Sequence, residues 1–205
     1  MIKNLLFDFD GVILDSMKIK GDGFIELFKS YPKTSLQQLE AYHYANGGIS
    51  RFAKIRYFFH DILHTQISEK AVENLANQFA QIIAEKIFDR NNLIGDTIDY
   101  IQKNFTHYNC HIVSGAEHRE LNALCEYFEI THYFKSIQGS PIIKSQLITN
   151  LIKNNHYEPE ETLLIGDSVN DYEAAYANKI QFYGYNNAEL QQYNYITTFQ
   201  GIHFE

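Results

Sequence analysis

The segment Ile-Lys-Asn-Leu-Leu-Phe-Asp-Phe-Asp at residues 2–10 is a short apolar run that ends in two carboxylates. A continuous apolar run that stops at Gly11 predicts a strand buried on both faces of a parallel sheet. Asp8 and Asp10 are one residue apart, so on an extended backbone both side chains point the same way, while Phe9 points into the packing. Because open α/β sheets bind ligands at the carboxyl ends of their strands, we expect both carboxylates at a ligand-binding edge.

Similar apolar runs recur along the chain, with helical patterns between them. The predicted strands are residues 109–113, 162–165 and 180–185, with weaker runs near 133–137 and 195–199. The predicted helices are residues 97–104, 117–127, 145–154 and 172–178. This alternation predicts an α/β fold, a doubly wound, mainly parallel, Rossmann-like sheet with helices on both faces.

Residues 15–90 interrupt the alternation with amphipathic helical spacing, as at Phe24 and Phe28, and with no convincing strand. A crossover between parallel strands needs about a dozen residues or a little more, so about seventy are too many for a crossover alone. We therefore predict a catalytic core of residues 1–14 and 91–205, with an inserted α-helical cap of residues 15–90.

Composition narrows the function classes. The chain has 205 residues, of which 45% are hydrophobic, as in ordinary soluble globular proteins. Cys110 and Cys125 are too few for a disulfide framework, which fits a reducing compartment. With no room for a signal peptide before Asp8 and no apolar stretch of membrane-spanning length, we expect a cytoplasmic protein without membrane contact. A net charge of −8 with scattered Lys and Arg argues against nucleic-acid binding.

The carboxylate pair suggests phosphoryl chemistry. Asp8 and Asp10 repel each other unless a cation or a shared proton relieves them, and Mg²⁺ prefers oxygen ligands. With a phosphate ester present, Asp8 is the candidate nucleophile that forms an aspartyl-phosphate. Asp10 is the candidate acid that protonates the leaving oxygen and the base that later activates water. The alternative for the pair is a solvated turn after the strand.

Three further segments supply matching groups. Ser114 follows one apolar run, Lys144 opens a helical pattern, and Asp167 and Asp171 follow another run. A hydroxyl can donate to a phosphoryl oxygen, an ammonium can neutralise the charge of the transferring group, and carboxylates can hold Mg²⁺. Each group also has a structural alternative: Ser114 as a helix cap, Lys144 as a solvated helix-end lysine, and both acids as groups that favour a helix N-terminus.

These segments resemble the motifs of the haloacid dehalogenase superfamily. Asp-Phe-Asp-Gly-Val at residues 8–12 resembles its first motif, Ser114 its second, Lys144 its third, and Gly-Asp-Ser-Val-Asn-Asp at residues 166–171 its fourth. Residues 14–16, Leu-Asp-Ser, continue as in the phosphatase and phosphomutase-like members that have a helical cap directly after the first motif. The four motifs occur in the right order over nearly the whole chain.

The resemblance implies roles for the matching residues. The catalytic residues would be Asp8, Asp10, Ser114 and Lys144. The Mg²⁺ ligands would be Asp8, Asp10 through its backbone carbonyl, Asp167, and Asp171 through water or by orienting the site. Asp167 would also cap the helix that begins near Ser168. The phosphate-binding residues would include Gly11 and Gly115.

Arg51 is the candidate for substrate recognition from the predicted cap. It follows the turn at Gly47 and Gly48, and a guanidinium can grip a phosphate or carboxylate with two hydrogen bonds. Lys54 and Arg56 lie close by in sequence and are expected to share that role. A surface arginine is the structural alternative.

We predict magnesium-dependent hydrolysis of a small phosphorylated metabolite, such as a sugar phosphate or phosphoglycolate, by a monomer or weak dimer. A sugar phosphomutase of the β-phosphoglucomutase type is the main alternative, because its cap also has a Gly-x-Ser-Arg segment like residues 48–51. Such mutases usually have His in place of Lys20 and often an acid in place of Gly166, and both differences favour hydrolysis. A receiver-like or non-catalytic binding protein is the alternative from another class.

Overall fold

The computed structural model describes residues 1–204, which contain a single six-stranded sheet. The strands are β1 Asn4–Phe7, β2 Asn109–Glu117, β3 Ser136–Ser140, β4 Thr162–Gly166, β5 Gln181–Tyr185 and β6 Tyr195–Ile196. Every pairing is parallel and the order is β3-β2-β1-β4-β5-β6, so β1 lies inside the sheet between β2 and β4.

Eight α-helices accompany the sheet within the same residues. They are α1 Met17–Leu27, α2 Lys33–Ala45, α3 Arg51–Tyr57, α4 Glu69–Ile87, α5 Gly95–Asn104, α6 His118–Tyr127, α7 Lys144–Asn155 and α8 Val169–Ala177. A π-helical turn, Phe58–Ile62, continues α3. None of the helices in this described part of the chain is long and apolar enough to cross a bilayer.

Both faces of the sheet are covered, because alternate residues of β1 belong to different apolar clusters. Leu5 and Phe7 share one cluster with Ile101 of α5. Leu6 shares the other with Leu147 of α7 and neighbouring side chains of α8. These burials explain the continuous apolar run of β1. The predicted α/β class with a doubly wound parallel sheet is confirmed.

Helices α1–α4, here called the helical insertion, lie in the chain between β1 and α5. Aromatic contacts hold them together: the Phe24 and Phe79 rings have centroids 4.3 Å apart, and Phe28 stacks on Phe58 with centroids 4.2 Å apart. The insertion therefore has its own apolar packing, continuous with the main core.

The two chain segments that enter and leave the insertion run side by side. The amide of Ile94 donates to the Ile13 carbonyl at 2.9 Å, and the amide of Asp15 donates to the Asn92 carbonyl at 2.8 Å. Both segments are thereby fixed to each other at the edge of the sheet. The division into a core and a cap at residues 15 and 90 stays a prediction.

Three strands differ from the predicted ones by three residues or more. One is β6, which ends at Ile196 although the predicted run is 195–199. β2 continues past residue 113 to Glu117, with an irregular register against β3 between Val113 and Glu117. β3 lies three residues later than the run at 133–137, because Thr131–Tyr133 forms a 3₁₀ turn instead. In all three cases the local pattern marked a strand, and the pairing with a neighbouring strand set its ends.

Candidate active site

Three carboxylates meet where β1 and β4 end. Asp8 follows β1, and its amide donates to the Ile165 carbonyl of β4 at 2.9 Å. Asp167 follows β4, and Asp171 lies on the first turn of α8. Each of the three acids offers an oxygen atom, and these atoms lie within 4.8 Å of one another. The chain thus brings together acids that are distant in sequence at the carboxyl edge of the sheet.

A capping box fixes Asp171. The Ser168 hydroxyl accepts a hydrogen bond from the Asp171 amide at 3.3 Å and donates to Asp171 Oδ2 at 2.6 Å, while the Ser168 amide donates to the same oxygen at 3.1 Å. Ser168, rather than Asp167, is therefore the N-cap of α8. The expectation that Asp167 caps this helix was wrong, because the chain turns into α8 one residue later.

Lys144 is the first residue of α7 and is buried against two of the acids. Its Nζ lies 2.8 Å from Asp8 Oδ2 and forms a close ion pair with Asp171 Oδ1. Burial alone would lower the pKa of Lys144, but the charges of Asp171 and Asp8 hold it above its ordinary value. Lys144 is therefore a fixed cation beside the candidate nucleophile.

One ammonium does not balance the three carboxylates. Burial, with the charge of Asp171, raises the pKa of Asp8 to about 7 even though Lys144 opposes the shift. Burial and the charges of Asp8 and Asp171 raise the pKa of Asp167 well above its ordinary value. Asp167 Oδ1 is also buried without a hydrogen-bond partner among residues 1–204. An oxygen-rich site with excess negative charge and a free acceptor fits Mg²⁺.

Gly11 lies against this cluster of carboxylates. Its φ is +72°, and a Cβ added there would lie 1.9 Å from Asp167 Oδ2. Its carbonyl accepts a hydrogen bond from Asn186 at 3.1 Å, while Asn187 holds the Asp167 carbonyl at 2.7 Å. The backbone conformation and the close approach both require glycine here. The two asparagines were missed in the sequence because they follow β5, outside every recognised motif.

Asp10 has a different environment from Asp8. Ser16 donates to Asp10 Oδ1 and the Lys20 ammonium donates to Asp10 Oδ2, each at 2.5 Å. Burial would raise the pKa of Asp10, but the Lys20 charge and the hydrogen bonds from Lys20 and Ser16 hold it below its ordinary value. The sequence could have suggested that Ser16 and Lys20 lie side by side, because they are four residues apart at the start of a helix.

Ser114 lies on β2, the neighbour of β1, and is fully buried. Its hydroxyl accepts a hydrogen bond from the Ala116 amide at 3.1 Å. Glu117 is the N-cap of α6, and its side chain accepts from the Glu120 amide at 2.9 Å. The alternative of Ser114 as that helix cap was wrong, because β2 extends three residues beyond it.

Gly115 is where the core meets the helical insertion. A Cβ on Gly115 would lie 2.3 Å from the Gly48 carbonyl oxygen, and a Cβ on Gly48 would lie 2.8 Å from the Ser168 hydroxyl. The loop before α3 thus passes directly over the ends of β2 and β4.

Arg51, at the start of α3, contacts both parts of the chain. Its guanidinium forms a close, buried ion pair with Glu120 of α6 and lies 5.0 Å from the centroid of the Phe79 ring of α4. Glu120 was not singled out in the sequence because no motif contains it. The role of Arg51 in substrate recognition stays a prediction, as do the catalytic and ligand roles of the core residues.

Comparisons with known proteins agree with this geometry. A family model described as haloacid dehalogenase-like hydrolase matches residues 5–185. The β-phosphoglucomutase of Clostridium difficile is similar over 100% of this chain and 94% of that chain, with a TM-score of 0.79 and 16% identity. A predicted phosphoglycolate phosphatase of Haemophilus somnus 129pt is similar over 97% of this chain and 89% of that chain, with a TM-score of 0.69 and 18% identity.

A third solved structure has the same fold. A haloacid dehalogenase-like family hydrolase of Streptococcus pneumoniae covers 96% of this chain and 94% of its own, with a TM-score of 0.68 and 19% identity. At such identities the likeness concerns the fold alone. No curated protein sequence gives a significant match. Because the family model spans most of its length, the chain belongs to the haloacid dehalogenase-like hydrolase family.

Proposed function

We propose that the chain is a magnesium-dependent phosphatase that hydrolyses a small phosphomonoester through an aspartyl-phosphate on Asp8. The observation that supports this most directly is the position of Asp8, buried at the end of β1 with the Lys144 ammonium 2.8 Å away. Asp167 and Asp171 lie beside it, and Asp10 follows one residue later. A phosphoryl group seated there would meet a nucleophile, a cation and an acid or base.

The reaction has two displacements at phosphorus. In the first, an Asp8 carboxylate oxygen bonds to phosphorus, the bond to the ester oxygen breaks, and protonated Asp10 gives its proton to that oxygen. In the second, Asp10 takes a proton from water, the water oxygen bonds to phosphorus, and the bond to Asp8 breaks. Inorganic phosphate leaves, and both side chains return to their starting states.

The residues around Asp8 would support both steps. Asp8, Asp167 and Asp171 would hold Mg²⁺, which supplies positive charge that stabilises the transferring phosphoryl group. Lys144 would oppose the protonation of Asp8 and add a second positive charge. The Ser114 hydroxyl and the Gly115 amide lie on β2 in the part with irregular register, from where they would donate to phosphoryl oxygens.

The state of Asp10 favours hydrolysis. Its pKa is held down by the Lys20 ammonium, which makes it an ionised base ready to activate water in the second step. For the first step, protonation of Asp10 requires that its contact with Lys20 loosens as substrate binds. Both partners of this ion pair are nearly buried.

We propose that the helical insertion acts as a cap over this site. The Gly48 loop already lies against Gly115 of β2 and against Ser168, which is next to Asp167. Such closure excludes water and selects a compact substrate. The partner would therefore be a small phosphorylated metabolite, such as a sugar phosphate or phosphoglycolate.

Replacement of the nucleophile tests the proposal. We expect Asp8→Asn to reduce phosphate release by at least about 1,000-fold, because an amide cannot form the phosphoryl bond. Release from a panel of phosphorylated metabolites would be measured with Mg²⁺ and with a chelator, and the chelator should also abolish it. Asp99→Asn, an exposed change on α5, should leave the rate unchanged.

Two results would contradict the proposal. Phosphate release by Asp8→Asn at the wild-type rate would exclude Asp8 as the nucleophile. Interconversion of sugar-phosphate isomers without net phosphate release would instead identify a phosphomutase, so both products should be followed in the same reactions.

A further inference from the structure

A small cavity of about 20 Å³ lies between the helical insertion and the core, next to Asp10. Lys20, Arg51 and Lys54 line it from the insertion, and Gly115 lines it from the core. In the proposed reaction the phosphoryl group binds at Asp8 and its ester oxygen faces Asp10. The rest of the leaving group would therefore extend toward these three cations.

Lys54 differs from the other cations of the site. Lys20 pairs with Asp10, and Arg51 pairs with Glu120. Lys54 is only 3% exposed, yet it forms no ion pair with any carboxylate of residues 1–204. A buried ammonium without a carboxylate in contact is costly, and an anionic ligand in contact with it would offset that cost.

His43 fixes the direction of Lys54. The His43 Nε2 lies 2.8 Å from the Met17 carbonyl, which can only accept, so Nε2 holds the ring proton. His43 Nδ1 is then a bare acceptor, and Lys54 Nζ donates to it at 3.0 Å. Burial, with the charge of Lys54, lowers the pKa of His43 to about 3, so the ring stays neutral. Two of the three N–H groups of Lys54 are left to donate to a ligand.

The lowered pKa of Lys54 agrees with a buried ammonium that has no carboxylate in contact. Burial, with the charge of Lys20, lowers it to about 7. An anion in contact with Lys54 would restore its full charge and gain a charge-assisted hydrogen bond.

We propose that Lys54, set in place by His43, is the specificity residue of an anion subsite that recognises a second anionic group, a carboxylate or another phosphate, on the leaving group. This inference rests on the proposed phosphatase function. It makes the substrate class a doubly anionic phosphomonoester rather than a neutral sugar or alcohol ester. A cavity of about 20 Å³ holds about one water molecule, so the insertion must move from the core to admit such a group and then close on it.

The test compares substrates that differ only in the second anion. 2-Phosphoglycolate is matched with 2-hydroxyethyl phosphate, and fructose 1,6-bisphosphate with fructose 6-phosphate. We expect the wild-type protein to prefer the doubly anionic member of at least one pair, measured as the ratio of kcat/KM values. Lys54→Met should reduce that ratio by roughly 10- to 100-fold, the value of one charge-assisted hydrogen bond.

Lys70→Met is the matched control, since Lys70 is an exposed lysine of α4 in the same helical insertion. It should keep the wild-type ratio. Lys54→Gln, which keeps a polar group of similar reach, repeats the test if the methionine variant does not fold. A wild-type ratio near one for both pairs, or a ratio unchanged by loss of Lys54, would overturn the subsite.

A binding measurement separates this inference from the proposed reaction. Calorimetric titration of the same four probes with Mg²⁺ would be made on Asp8→Asn, with and without Lys54→Met. Tighter binding of the doubly anionic probes that depends on Lys54 supports the subsite even if no probe is hydrolysed, in which case only the proposed function fails. Equal affinity within both pairs overturns the subsite.

Discussion

At the scale of single residues, the two acids of the first motif are prepared for different tasks. Burial and Asp171 raise the pKa of Asp8, whereas Lys20 and Ser16 hold down the pKa of Asp10. The proposed nucleophile, Asp8, thus depends on added positive charge to be ionised at neutral pH, and the proposed base, Asp10, does not. The two carboxyl groups are chemically identical, and their pKa values differ because their neighbouring residues differ.

Removal of the Lys20 charge should move the acid side of the pH–rate profile. Asp10 must be ionised to activate water, and its lowered pKa keeps it ionised at acidic pH. Lys20→Met removes the partner at 2.5 Å, so the pKa of Asp10 should rise and the acid limb of kcat should move up by roughly one pH unit or more. Lys18→Met, an exposed change on the same helix, should leave the profile in place. An acid limb that does not move in Lys20→Met would show that another group controls it.

The residues that could be predicted are those at the ends of regular elements. Asp8, Asp167 and Lys144 each lie beside a recognisable strand or helix, and parallel topology brings such positions to one edge. The contact between His43 and Lys54 could not be predicted, because it depends on how α2 packs on α3. Sequence spacing indicates which side chains point the same way only within one helix or strand.

At the scale of elements, the proposed closure of the site depends on two glycines: the Gly48 carbonyl lies against Gly115, and Gly48 itself lies against Ser168. The Gly48 loop precedes α3, and Gly115 lies on β2 of the core. The predicted helical spacing of residues 15–90 gives α1–α4, but it does not indicate which loop approaches the sheet. The Gly48 loop can approach β2 and α8 because neither Gly48 nor Gly115 has a Cβ atom. The sequence shows that both residues are glycine, but not that they lie at the same contact.

Gly115→Ala should weaken closure more than folding. The added Cβ would lie 2.3 Å from the Gly48 carbonyl, so the insertion must shift outward while the sheet keeps its packing. We expect kcat/KM for the best substrate to fall by roughly 10- to 100-fold, with a melting temperature within a few degrees of wild type. Gly95→Ala is the control, because a Cβ there meets no atom within 4 Å. A large loss of melting temperature with unchanged kcat/KM would contradict this view of Gly115.

At the scale of the whole molecule, we expect stability and the proposed metal binding to be linked through the buried acids. The pKa of Asp8 is raised to about 7 in the folded protein, and that of Asp167 is also raised, against about 3.9 for an unfolded aspartate. Protonation is thus favoured by folding. The resulting contribution to the free energy of unfolding is fully present below about pH 4 and is lost as pH rises through about 7.

Mg²⁺ should therefore stabilise the protein more at pH 8 than at pH 5. At pH 8 the acids are ionised and bind the cation, whereas at pH 5 protons compete for the same oxygens. With Mg²⁺ at 100 times its Kd, we expect the melting temperature at pH 8 to rise by roughly 5–10 °C over the chelator-treated protein. Asp167→Asn should reduce both the rise and its dependence on pH. An equal effect of Mg²⁺ at the two pH values would contradict this linkage.

The paired segments at both ends of the insertion have a consequence for the history of such a chain. Hydrogen bonds between Ile13 and Ile94, and between Asp15 and Asn92, bring the start and finish of the inserted piece to one point. Everything that lies between them can be exchanged, lengthened or shortened without breaking a strand pairing. Under the proposed function, substrate preference could thus diverge in the helical insertion while the sheet and its cluster of acids stay the same.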